Sequence, residues 1–259
     1  MRIVFVRHGD PDYKNDTLTA KGRVEASLLA ENIEYLKLSE GDFYLSPLGR
    51  ARDTGAYVLE KLGKEAETLD WLREFPAVAD LNDSEEMRQA FPDENPRDGK
   101  YSPRFAWDMV PGYWTSQDAY FEKYGWRETG LAKHSDATQV YDYVTGKLDE
   151  LLASYGYVRE GNHYRVEKEN DITITCFCHM GIICVLLAHL WGISPVVLLH
   201  CLALAPTSVT EVVTEERQQG IAFFRGTRVG DVSHLRIGNE EPSFMARYCE
   251  VYSNMDQRH

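Results

Sequence analysis

Residues 2–9 read RIVFVRHG. The apolar run 3–6 fits a strand buried on both faces of a parallel sheet. It leads directly into a guanidinium, an imidazole and a glycine: Arg7, His8 and Gly9. A second stretch ends alike. Residues 172–181 read ITITCFCHMG, a strand followed by His179, Met180 and Gly181. Ligands of open α/β sheets sit outside the carboxyl ends of the strands, so both histidines are candidates for one site.

The segments around these strands predict an alternation of strand and helix. Thr19 is a candidate N-cap for a helix over 19–38, and DFYL (42–45) is a short strand ending in Ser46-Pro47. A helical pattern runs over 49–62 up to Gly63, and 67–69 suits a third strand. This order predicts an α/β fold with crossover helices. Later, 135–156 reads as a helix and 157–168 as a hairpin turning at Gly161-Asn162. A helix over 182–191 is expected to cap at Gly192, and another to start at Pro195. Residues 208–213 and 221–225 are expected as the last strands. Between these regular parts, 76–134 is rich in proline and aromatics, and three of the five tryptophans fall within 107–126. Such a segment is too aromatic for a disordered linker. The expectation is a single domain over 1–259, with 76–134 an insertion or cap over the strand C-terminal edge. Its rings are expected mainly to pack, with substrate contact by one or more of them as the alternative.

A chain of 259 residues with 28 basic and 41 acidic side chains carries a net charge of −13. That balance argues against general affinity for nucleic acid or an anionic membrane, both of which reward a basic surface. No secretory signal is visible, and the most apolar later stretch, 182–190, is too short to span a bilayer. Five cysteines form no CxxC pair, which suits free thiols in the cytoplasm. No metal-ligand spacing and no nucleotide loop appear, so neither metal nor cofactor is expected. Exposed aromatics in the insertion would permit a homodimer.

The strand-end residues fit phosphoryl chemistry. A neutral imidazole is a good nucleophile near neutral pH. If a backbone carbonyl holds the Nδ1–H of His8, its Nε2 is free to attack phosphorus. Arg7, Arg50 and His179 would then spread positive charge over the phosphoryl oxygens.

VRHGDPDY (6–13), LTAKGRVEA (18–26), LSPLGRARDTG (45–55) and the late strand followed by H-x-G together resemble the histidine phosphatase superfamily, the phosphoglycerate mutase-like proteins. The resemblance covers 1–75 and 170–215 and leaves 76–134 unmatched. It implies that His8 becomes phosphohistidine, that Arg7 and Arg50 clamp the phosphoryl group, and that His179 donates to it. It also implies a proton donor after the third strand in an L-x-E pattern, which Glu74 fits, with Asp70 and Asp80 as rivals. Partial burial under the insertion would raise the Glu74 pKa as that role needs. The fold expected is a three-layer sandwich: a mostly parallel mixed central sheet flanked by helices. Two positions depart from the pattern, Asp10 where glutamate is usual and Met180 within H-x-G, and a longer mutase segment is missing. The reading is therefore a metal-independent phosphomonoester hydrolase acting on a small phosphorylated metabolite. Its alternatives are a mutase-like phosphoryl transfer and a non-catalytic phosphate-binding protein. Ser208 is a further residue that could face the site.

Overall fold

A computed structural model describes residues 1–243 and 249–258. Eight strands form the main sheet: β1 (Arg2–Arg7), β2 (Asp42–Leu45), β3 (Glu67–Thr68), β4 (Tyr157–Glu160), β5 (His163–Val166), β6 (Thr173–Cys178), β7 (Val209–Gln218) and β8 (Ile221–Asp231). They lie in the order β3-β2-β6-β1-β7-β8-β5-β4. The pairs β3–β2, β2–β6 and β6–β1 are parallel. From β1 to β7 onward every pair is antiparallel. The sheet is mixed, as expected, but its parallel share is smaller than the sequence suggests. Strands β7 and β8 run on as a long ribbon past their apolar cores, through exposed polar residues that carry no strand-like alternation.

Side chains alternate across β1, and that alternation builds the layers. Val4 and Val6 pack on one face with Leu29, Ile33, Val58 and Phe177. These come from α1 (Ala20–Glu31), the short helix Ile33–Leu36, α2 (Gly49–Leu62) and β6. Ile3 and Phe5 face the other way, into a larger core. That core takes in Trp71, α3 (Ala137–Ser154), α4 (Met180–Trp191), α5 (Pro195–Cys201) and the aromatic segment, including Tyr120 and Trp126. The two apolar layers on opposite sheet faces are the three-layer arrangement.

Local signals end the helices where expected. Thr19 caps α1, its Oγ1 accepting from the Gly22 N–H at 3.0 Å. Gly192 closes α4 in a left-handed conformation, φ 68°. The 19–38 segment divides at Asn32 into two helices, and the 182–191 helix begins two residues early, at Met180. Residues 76–134 hold only short elements, among them helices Glu85–Ala90, Pro111–Trp114 and Gly130–Lys133. A last helix, α6 (Ser233–Ile237), lies against α1.

Among the described residues no helix is long and apolar enough to cross a membrane. Cys176, Cys178, Cys184 and Cys201 are free thiols; the side chain of Cys249 lies outside the described residues.

Candidate active site

Register brings the site together. Arg7 pairs with Cys178 and Leu45 with Phe177, so three parallel strands end at one level. The ladder continues one residue further: the His8 N–H donates to Cys178 O and the Ser46 N–H to Phe177 O, both at 2.9 Å. His8, Ser46 and His179 thus leave the sheet side by side. The two imidazole centroids are 5.0 Å apart, and both rings are buried.

His8 Nδ1 lies 2.7 Å from Gly9 O. A carbonyl oxygen can only accept, so Nδ1 carries the proton and Nε2 keeps its lone pair. Burial, with Arg7 and Arg50 adding to it, lowers the His8 pKa well below that of a free histidine. The ring is therefore neutral at pH 7. His179 is lowered by burial too, and next by His8 and the two arginines. Its Nε2 is 2.8 Å from Ser46 Oγ, while its Nδ1 is buried without a partner among the described residues.

Arg7 is buried and hydrogen-bonds through Nη1 to Leu204 O. Arg50 donates from Nη1 to Asp16 Oδ1 at 2.7 Å and lies over the Tyr13 ring. The Nε of each arginine is buried without a partner among the described residues. Asp16 also accepts the Gly49 N–H through Oδ2 at 2.7 Å, so one carboxylate fixes both the start of α2 and the guanidinium. Thr54 does similar work one turn on: its Oγ1 accepts from the Gly9 N–H (2.9 Å) and donates to Arg50 O (2.8 Å). Where the chain turns past His8 the backbones touch; a Cβ on Gly9 would meet Gly22 O at 2.8 Å.

Glu74 reaches the same edge from the other side. Its Oε1 accepts the Phe75 N–H at 2.9 Å and the Ile182 N–H, in the first turn of α4, at 3.2 Å. Burial raises its pKa, partly offset by the two backbone donors, Arg7 and Arg50. Gly181 explains the small residue after Met180: a Cβ there would lie 2.8 Å from Glu74 Oε1 and 3.2 Å from the Trp107 ring.

Arg7, Arg50 and Glu74 line a cavity of 1210 Å³ roofed by the 76–134 segment. The rival acids lie elsewhere. Asp70 is exposed beside Arg73, and Asp80 is exposed and turned to Asn82. Ser208 acts through its backbone, its carbonyl accepting the Arg7 N–H at 3.1 Å. The aromatic residues divide as follows: Tyr120 and Trp126 are core, whereas Phe105, Trp107 and Trp114 line the cavity. His200 lines it as well. Asp16, Ser46, Thr54 and Leu204 O are missed by sequence reasoning; the left-handed φ of 48° at Asp16 becomes visible only in the fold. Among the described residues no group of three or more His, Cys, Asp or Glu is placed to hold a metal ion.

The family model of the histidine phosphatase superfamily, branch 1, matches residues 3–112, the stretch that carries Arg7, His8, Arg50 and Glu74. Over those residues the chain is similar to that superfamily. Solved structures extend the likeness of fold to the rest of the chain. A phosphoserine phosphatase mutant from Entamoeba histolytica, bound to phosphoserine, is 17% identical, with a TM-score of 0.55 over 90% of this chain and 98% of that one. A mycobacterial glucosyl-3-phosphoglycerate phosphatase bound to VO3 is 19% identical, with a TM-score of 0.53 over 88% and 97%. A putative alpha-ribazole-5'-P phosphatase from Escherichia coli is 17% identical, with a TM-score of 0.51 over 90% and 98%. At these identities the likeness is one of fold. No curated protein matches the chain.

Proposed function

We propose that the chain is a phosphomonoester hydrolase that works through a phosphohistidine at His8 without a metal ion. The observation that carries this reading is the meeting of a neutral His8, its Nε2 unprotonated, with His179 at 5.0 Å and two arginines whose Nε groups lack partners among the described residues. Phosphate oxygens would supply those missing acceptors. Arg7 and Arg50 hold the phosphoryl group. His8 Nε2 forms the bond to phosphorus as the ester P–O bond breaks. Glu74, whose acid form burial favours, gives its proton to the leaving oxygen. The resulting carboxylate then takes a proton from the water that attacks the phosphohistidine, which releases inorganic phosphate and restores both groups. His179 holds a phosphoryl oxygen through both steps.

Residues 76–134 act in this reading as an insertion within one domain, closing the cavity over the strand ends. The free thiols fit a reducing, cytoplasmic setting. The test is hydrolysis of p-nitrophenyl phosphate with and without EDTA. Turnover that survives the chelator and is lost in His8→Ala supports the proposal. Turnover retained in His8→Ala, or abolished by EDTA and restored by a divalent metal, contradicts it.

A further inference from the structure

We propose that the site selects monophosphate esters of large, uncharged, mainly apolar alcohols and disfavours those whose alcohol carries its own negative charge. This inference rests on the phosphatase reading and adds the class of leaving group. Size is the first argument. A cavity of 1210 Å³ exceeds the roughly 300–1,000 Å³ of most small-ligand clefts, and a phosphoryl group fills only one corner of it.

The second argument is what flanks the acid. One point beside Gly181 lies within 2.8 Å of Glu74 Oε1 and 3.2 Å of the Trp107 ring, which stacks in turn on Phe105 at 4.8 Å. An alcohol oxygen protonated by Glu74 would therefore carry its first carbons against an indole. Beyond it the wall continues with Val110, Trp114, Met180, Leu199 and Leu202.

Charge is the third. Arg7 and Arg50 are committed to the phosphoryl group. Of the other described residues lining the cavity, Arg73 is the remaining arginine, and its side chain is 57% exposed with Asp70 beside it at 3.7 Å. Asp108 adds a carboxyl group to the wall. His200 is packed against Trp114 with ring centroids 4.9 Å apart, and its Nδ1 donates to Val196 O at 2.8 Å. Burial lowers its pKa, so it brings no charge. A second carboxylate or phosphate on the alcohol would find mainly apolar walls and Asp108, with only the solvent-exposed, Asp70-paired Arg73 to meet it among the described lining residues.

The experiment is kcat/KM for ethyl, butyl, hexyl and octyl phosphate against O-phosphoserine and 3-phosphoglycerate. Each buried methylene is worth about 0.8 kcal/mol, or about fourfold, so kcat/KM should climb steeply with chain length until the cavity fills. Hexyl phosphate should exceed both charged esters at least tenfold. Trp107→Ala should flatten the climb, and Val110→Lys should raise 3-phosphoglycerate relative to hexyl phosphate. Thermal melts establish that each variant is folded, and the unmodified protein decides the matter by itself if one is not. A flat alkyl series, or charged esters equal to hexyl phosphate, overturns this inference while leaving the hydrolase reading intact. Failure to hydrolyse any ester overturns both.

Discussion

At the scale of single residues, His8 is defined by two neighbours that act in different ways. Gly9 O fixes which nitrogen holds the proton, and burial beside Arg7 and Arg50 keeps the ring uncharged. Because the pKa is lowered, protonation must begin well below pH 6.5. Ring nitrogen NMR of the free protein should show His8 as the neutral Nδ1–H form from pH 7.5 down to 5.5; a titration centred near 6.5 would contradict the environment described. Glu74 has the opposite displacement. Its raised pKa favours the acid form that must protonate a poor leaving group. Glu74→Gln should therefore slow alkyl phosphates by about 10²–10⁴-fold and p-nitrophenyl phosphate far less, since nitrophenolate departs without a proton. Equal losses on both would remove Glu74 from the acid role. The residues that chemistry selects by type, His8, His179, Arg7 and Arg50, are legible in the sequence because they follow apolar strands or a turn into a helix. Asp16, Ser46 and Thr54 are not, because their partners lie 33, 133 and 45 residues away and no local pattern records such a hydrogen bond.

At the scale of elements, the site depends on strand register and on how α1 is anchored beneath the His8 turn. Glu25, on α1, is fully buried and accepts the Asp10 N–H and the Ser243 N–H, both at 2.9 Å. Burial pushes its pKa up to about 7, against 4.5 for an ordinary glutamate. The folded protein thus binds a proton between pH 4.5 and 7 that the unfolded chain has released, and stability falls as pH rises through that window. The difference is on the order of 3 kcal/mol. Urea midpoints should fall between pH 5 and pH 8, and Glu25→Gln should reduce that fall. A drop of the same size in the variant would show that another group sets it. Periodicity makes most elements legible: β1, β2, β6 and α2 lie within a residue or two of where apolar patterning puts them. The outer halves of β7 and β8 escape, since polar residues such as those of 214–218 are held there by pairing with a neighbouring strand.

At the scale of the whole molecule, one sheet separates two tasks. The face carrying Val4 and Val6 is closed by α1 and α2 into a compact apolar layer. The opposite face joins α3, α4 and the aromatic segment in one core, and the cavity opens where that segment passes over the strand ends. The wall that residues 76–134 add to the cavity is the least legible part of the sequence. Its rings follow no helical or strand period, so composition tells that they pack but not which of them face open space. Phosphoryl transfer to His8 can be trapped by brief mixing with a ³²P-labelled alkyl phosphate, quenching in alkali, and mapping of the label by peptide. Acid-labile, alkali-stable label on the peptide containing His8 is the predicted result. Rapid hydrolysis with no label there, or with label on a different residue, would contradict it.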